Sequence, residues 1–452
     1  MGIRFPEDKI KGSFMLKNKV ISAVLVFGLI GSFHQIQADT LSIEDAVAKT
    51  LETNPEVQAE LREVDARERQ VREALGGYLP TVDVLAGFGF QERDPTGRDF
   101  SPSDRTRNEL ERHEAQLNVR QLVFDGFNTP NEHKNQKSRH QSAAHRAHSV
   151  GEDIALEVVR TYLDVLKQKA ILELADQTLA THQEVYNKMQ KRADSGVGSR
   201  ADLDQISGRL ALSRSNVISQ TANLLDAKTN FQRVVGRFPE TNELVTPGTY
   251  GKHLPETVAE AVAKATENHP LLKSASADIE AVSYQYEQTK SGFYPQFHIE
   301  IERDLNDNID GIEEQVDDLK VMLRMRYNLF RGNSDQAKKQ QFAYLVEKAK
   351  QIRANTYRQV EQEVRLAWVA RDAIQNQIPV LENYVIDAQE TKNAYVKQFD
   401  LGRRTLLDLL NTENEMISAR QSLTRANFDL LFNEYRLFHA MGELLNTVGS
   451  EI

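Results

Sequence analysis

The chain has 452 residues, of which 40% are apolar and 27% charged, with a formal net charge of −10. That length exceeds one ordinary domain, so a repeat or a second domain is expected; the acidic balance, with no basic face to neutralise phosphates, excludes a nucleic-acid binder. There is no cysteine, which excludes disulfides, thiolate metal sites, a cysteine nucleophile and the lipid-modified cysteine that anchors bacterial lipoproteins.

Residues 1–38 read as an export signal. Lys17 and Lys19 form a positive segment, Val20 to Ile30 is a short apolar run, and Ala38 follows as a cleavage site. About eleven apolar residues are too few to span a bilayer, which takes about twenty. The alternative of an N-terminal anchor is therefore the weaker reading. Met15 stands directly before this pattern and could be the true start. No later apolar stretch is long enough for a transmembrane helix, so entry into a membrane would have to be as strands.

The rest is one unit written twice. Glu44-Asp-Ala-Val-Ala-Lys-Thr-Leu-Glu-Thr-Asn-Pro55 returns as Ala259-Glu-Ala-Val-Ala-Lys-Ala-Thr-Glu-Asn-His-Pro270, and Gly77-Tyr-Leu-Pro80 returns as Gly292-Phe-Tyr-Pro295. Val123-Phe-Asp-Gly126 then matches Leu329-Phe-Arg-Gly332, and Gly198 matches Gly402. The first repeat is placed at 39–238 and the second at 257–445. A proline-containing connector at 239–256 lies between them and a tail at 446–452 follows.

Each copy predicts a helix, two strands and a long helical hairpin. The strands are expected within 81–125 and 295–330. Val82, Val84, Ala86, Phe88 and Phe90 share one face of the first strand, and Leu117, Val119 and Val123 share one of the second, with Asn118 and Arg120 opposed. Phe297, Ile299 and Ile301 oppose His298, Glu300 and Glu302; Leu319, Val321, Leu323, Met325, Tyr327 and Leu329 oppose Lys320, Arg324, Arg326 and Asn328. Period-two alternation marks strands with one dry and one wet face. A soluble sheet would pack the dry face on a core. The length of about ten residues and the charged segments 91–112 and 303–318 between strands favour a membrane barrel with extracellular loops. Four strands cannot close a barrel and open edges are forbidden in lipid, so subunits must share one. Three copies supply twelve strands and leave a usable channel; two would supply eight, a barrel filled by side chains.

From Asn131 to Gln232 there is no proline, and Gly196-Val-Gly-Ser199 is the one break strong enough to turn the chain. A helix over 129–195, about 100 Å long at 1.5 Å per residue, follows. The second copy runs from Asn333 to Phe399 and turns at Asp400-Leu-Gly402, with Pro379 expected to kink it. After each turn come heptads: Leu203, Leu210, Val217, Leu224 and Phe231, then Leu409, Met416, Leu423, Leu430, Leu437 and Leu444. They predict coiled-coil packing on neighbouring helices. Gly198 and Gly402 are expected at positive φ, which other residues resist.

With these features the mature chain, residues 41–445, resembles the TolC family of outer-membrane efflux and secretion channels. The most specific stretch is Leu401-Gly-Arg-Arg-Thr-Leu-Leu-Asp-Leu-Leu-Asn411; Leu122-Val-Phe-Asp-Gly126 and Leu329-Phe-Arg-Gly332 at the strand-to-helix junctions support it. The resemblance implies a mixed α/β membrane protein, a homotrimer whose twelve-stranded barrel continues as a periplasmic α-helical barrel. It implies an outer-membrane lipid surround, a periplasmic adaptor (membrane fusion) protein and an inner-membrane ABC transporter or other pump as partners, and neither enzyme activity nor a cofactor. The tips that dock the adaptor would include Gly196, Val197, Gly198, Leu401, Gly402 and Arg403. For the gate, Asp408 matches the first of two ring-forming aspartates, while Asn411 stands in place of the second. Arg404 and Asp204 match members of the polar network that holds the gate shut, and Phe399 replaces its tyrosine. The missing lipidated cysteine points to type I protein secretion, with large adhesins as one cargo class. The alternatives are a drug-efflux outer component and, further off, a periplasmic coiled-coil adaptor or scaffold. His133, His140, His145 and His148 are read as a solvated helix face rather than a metal site.

Overall fold

The computed structural model describes residues 40–93, 108–240, 242–249 and 251–450. The export signal and the middle of the first charged loop lie outside the described residues.

Two short helices open each repeat, and the same chemistry makes both pairs. In the first, α1 (Ile43–Thr53) is capped by Ser42, whose side chain accepts from the Asp45 N–H. Asn54 then ends α1 and caps α2 (Pro55–Gly76), with Pro55 in the first turn, where its missing N–H costs nothing. In the second, Thr257 caps α5 (Val258–Asn268), and His269 followed by Pro270 starts α6 (Pro270–Thr289). The repeated Asn-Pro and His-Pro pairs are thus helix breaks that carry their own caps.

Strands β1 (Thr81–Arg93), β2 (Asn108–Phe124), β3 (Gln296–Asp307) and β4 (Gln315–Arg326) form one antiparallel sheet in sequence order. The pairing of β2 with β3 joins the two repeats. Here the sequence reading needs three corrections. The expected loop 91–112 is trimmed at both ends, because β1 runs on to Arg93 and β2 begins at Asn108. The expected loop 303–318 shrinks to residues 308–314, because β3 runs on to Asp307 and β4 begins at Gln315. Charges expected in a loop lie on paired strands instead: the Arg303 guanidinium meets both carboxylate oxygens of Asp317, at 3.2 and 2.9 Å. At the other end β4 stops at Arg326, opposite Gln296. Pro295, just before β3, has no N–H to continue the ladder, so Tyr327 and Leu329 fall outside the strand.

The long helices show the duplication most directly. α3 (Asn128–Asp194) and α7 (Ser334–Asp400) each have 67 residues, and their return arms α4 (Arg200–Val235) and α8 (Leu406–Met441) each have 36. At 1.5 Å per residue the longer arms reach about 100 Å. α7 remains helical through Pro379. A four-residue helix, α9 (Leu444–Thr447), closes the chain's described part.

The main core lies partway along these hairpins, where α1 and α5 pack on them around Tyr162, Phe231, Leu437 and Met441. A second, smaller core closes the hairpin tips. No helix among the described residues is long and apolar enough to cross a membrane.

Candidate channel wall and tip

The sheet has one dry face that no described residue covers. In register, Val82, Val84 and Ala86 meet Val119, Leu117 and Ala115, and Phe297, Ile299 and Ile301 meet Met325, Leu323 and Val321. Among the described residues that face packs on no core: Phe88 is 90% exposed and Leu323 66%. The other face is ionic. Glu300 lies between Arg120 and Arg324, and Lys320 spans Glu302 at 3.4 Å and Asp304 at 2.8 Å. A strand ladder apolar on one side, charged on the other and lacking a core suits lipid outside and water inside.

At the junction below, the landmark Phe124-Asp-Gly126 becomes legible. Asp125 is buried, and one of its carboxylate oxygens accepts from the Thr129 N–H (2.8 Å) and hydroxyl (2.6 Å), tying down the first turn of α3. Gly126 and Phe127 are both left-handed, at φ 68° and 67°, as are Gly332 and Asn333 at 60° and 62°. A Cβ on Gly126 would stand 2.9 Å from the Ser291 carbonyl oxygen. The two repeats therefore turn from strand to helix by the same consecutive pair. Phe124, Phe127 and Tyr294 meet edge to face here, with centroids 5.3 to 6.4 Å apart, an aromatic layer of the kind found at membrane–water boundaries.

The far ends of the hairpins meet in one tip. Met189, Leu203 and Ile206 of the first pack with Phe399, Leu406, Leu409 and Leu410 of the second, and Lys188 pairs with Asp400 across them. Of the residues expected at the turns, Gly196 is at φ 74° and Gly402 at 72°. Gly198 is not at positive φ, which corrects that expectation. It is small for another reason: its N–H donates to the Arg192 carbonyl, and a Cβ would lie 2.8 Å from the Ala193 nitrogen. Val197, Leu401, Gly402 and Arg403 are exposed.

The five expected gate residues are not brought together within one chain. Asp408 is the third residue of α8 and forms a reciprocal capping box with Thr405. Arg404 stands 3.9 Å from Asp408, donates to Gln398 at 3.1 Å and lies over the Tyr395 ring at 4.3 Å. Asp204 is exposed and 3.7 Å from Arg200, and Asn411 is exposed. Phe399 is 7% exposed in the tip core, with the Arg192 guanidinium 5.5 Å from its ring centroid. A ring without a hydroxyl suits that apolar seat.

The histidine face also differs from expectation. His145 and His148 are half-buried, and burial, with Lys273 adding to it, lowers the pKa of each. Sequence patterns gave no sign of this, because the covering helix α6 comes from the other repeat.

A sheet with a lipid-type face and an ionic face, continued by two hairpins of equal reach, defines the protomer of an outer-membrane channel. The chain belongs to the Outer membrane efflux protein family, which it matches over residues 46–237 and 261–443. It is 22% identical to outer membrane efflux protein BepC of Brucella suis over 95% of this chain and 91% of that protein. It is 23% identical to alkaline protease secretion protein AprF of Pseudomonas aeruginosa, over 93% and 89%. Its fold superposes on the outer membrane protein VceC of Vibrio cholerae with a TM-score of 0.75 at 14% identity, covering 88% of this chain and 96% of that one. The protein is a channel subunit of the outer membrane, not an enzyme.

Proposed function

We propose that three copies assemble into one conduit across the outer membrane and periplasm, serving type I protein secretion. The observation that carries the assembly is the sheet itself. Among the described residues β1 and β4 are both unpaired at the edges of a four-stranded sheet, and lipid tolerates no such edge. Joining β4 of one copy to β1 of the next closes a ring, and three copies leave a water-filled lumen lined by the Arg120–Glu300–Arg324 face. The hairpin tips dock a periplasmic adaptor through Gly196, Val197, Gly198, Leu401, Gly402 and Arg403. In the assembled ring Asp408 and Asn411 line the entrance, while Arg404, Asp204 and Phe399 hold neighbouring tips closed. An inner-membrane ABC transporter or comparable pump feeds it.

One observation supports protein cargo over drugs: likeness to a relative named for protease secretion. Mass measurement in detergent with conductance across a planar bilayer tests the assembly; a non-conducting monomer or dimer sinks it. Deleting the gene tests the cargo. Loss of a secreted protein is expected, whereas drug hypersensitivity with an unchanged set of secreted proteins would favour the efflux alternative.

A further inference from the structure

Between the tip core and the next apolar layer, which is built from Ala388, Met416 and Ala419, lies a buried polar layer. His182 of α3 and Glu413 of α8 are 4% and 2% exposed, with the His182 Nε2 4.0 Å from a Glu413 oxygen. Lys392 of α7 donates to Glu413 at 3.3 Å. Neither ring nitrogen of His182 makes a well-formed hydrogen bond. A cavity of about 220 Å³ opens beside it, lined by Thr178, Arg209, Ser213 and Asn216 from the first hairpin and Asn414 from the second. The layer thus spans both hairpins of the protomer, and water can reach it.

Buried ion pairs and unsatisfied imidazoles are poor sources of stability; apolar packing usually does as well or better. The heptad positions on either side supply that packing. A titratable group held between them gives the contact something apolar packing lacks, a dependence on pH. The charged groups facing His182 are Glu413 on α8, Lys392 on α7 and Arg209 on α4.

We propose that His182, Glu413 and Lys392 form a proton-operated latch between the two hairpins, which holds while the imidazole is neutral and loosens when it gains a proton. This deepens, and rests on, the reading of the tip as the closed entrance of a channel. The sign follows from the surroundings. Burial lowers the His182 pKa; Glu413 and the Arg209 carbonyl oppose this, and the Arg209 and Lys392 charges reinforce it. Once the hairpins part, the imidazole is hydrated and regains its ordinary value of about 6.5. A depressed value in the packed state means the contact is fully stable above about 6.5 and weakens as pH falls below it. One proton per latch changes the ratio of parted to packed protomers by at most about tenfold per pH unit.

Two measurements on the assembled full-length protein test this. The chain has no cysteine, so spin labels can be placed at the exposed positions Asn187 on α3 and Asn393 on α7 and their separation followed from pH 7.5 to 5.5. A longer-distance population should grow on acidification and be absent in His182→Leu, with His182→Gln as the second variant should the first not assemble. Conductance across a planar bilayer, with acid on the tip side alone, should rise over the same range in the unsubstituted protein. A separation that stays fixed, or one that still responds in both variants, overturns the latch. A separation that grows while conductance stays flat upholds the latch and overturns the tip as the gate.

Discussion

The Tyr162 hydroxyl lies 2.7 Å from the carbonyl oxygen of Leu41 and 2.8 Å from both the nitrogen and the oxygen of Val245. One side chain of α3 thereby fixes the start of the first repeat and the connector that follows it. The strap is completed by the parallel bridge of Leu41 with Leu244. Burial, in turn, pushes the phenol up to about 12, so it stays a neutral donor and acceptor at any physiological pH. Tyr162→Phe keeps the ring packed against Phe231 but removes the hydroxyl's three hydrogen bonds, leaving the Val245 N–H only its longer contact, 3.4 Å, to the Leu41 carbonyl. A loss of about 1 kcal/mol is expected, the net worth of a typical hydrogen bond, read as a lower melting temperature of the solubilised protein.

The two tip glycines should fail for different reasons. Gly402→Ala keeps its space, since nothing lies within 4 Å of the added Cβ, but must hold φ 72°. The left-handed region costs a non-glycine residue about 1–2 kcal/mol, which the turn can absorb with partial loss of export. Gly198→Ala drives its Cβ to 2.8 Å from backbone nitrogen, so the turn itself must deform. Export assays on both variants, with assembly checked by mass, should show the larger defect at Gly198. Equal and negligible defects would place the docking surface elsewhere.

At Asp408 a structural role and a channel role separate by measurement. Asp408→Asn weakens the capping box with Thr405, at a cost of about 1 kcal/mol, and should also lower cation preference if three copies line the entrance. Arg404→Ala removes the stacking on Tyr395 and should raise resting conductance. Helix stability that falls while selectivity and conductance hold steady would leave these residues as local caps alone.

Glu152 gives the chain a pH dependence of its own. Its carboxylate accepts from the N–H groups of Leu444 and Leu445 at 3.0 and 3.2 Å, docking the C-terminal turn onto α3. Burial pushes its pKa up to about 7, against the pull of those two N–H groups and His439. A carboxyl raised in the folded state contributes stability below its unfolded value, and that contribution is lost as pH rises through about 7. Between pH 5 and 8 the melting temperature should therefore fall, and Glu152→Gln should flatten that slope. An identical slope in the variant would assign it to other groups.

What the sequence disclosed and what it hid divide along physical lines. The long helices were legible because nothing between Asn131 and Gln232 interrupts them except the turn at 196–199. The strand faces were legible because alternation is local. Strand ends were not, since Pro295 and the Arg303–Asp317 pair act across the sheet and not along the chain. Gly198 reads as a turn glycine in either case; only the nearness of the Ala193 nitrogen shows that space, not φ, is what it supplies. His182 and Glu413 were invisible. A lone histidine or glutamate on a helix reads as surface until the facing hairpin covers it.

The two unpaired edges of the sheet also constrain how the protein is made. A single chain exposes a row of backbone N–H and C=O groups along β1 and another along β4, each group costing several kcal/mol if placed bare in hydrocarbon. No lone subunit can therefore wait in the bilayer for its neighbours. Meeting and insertion collapse into a single event, and until it happens the apolar face around Phe88 and Leu323 must be shielded from water by something other than its final surroundings.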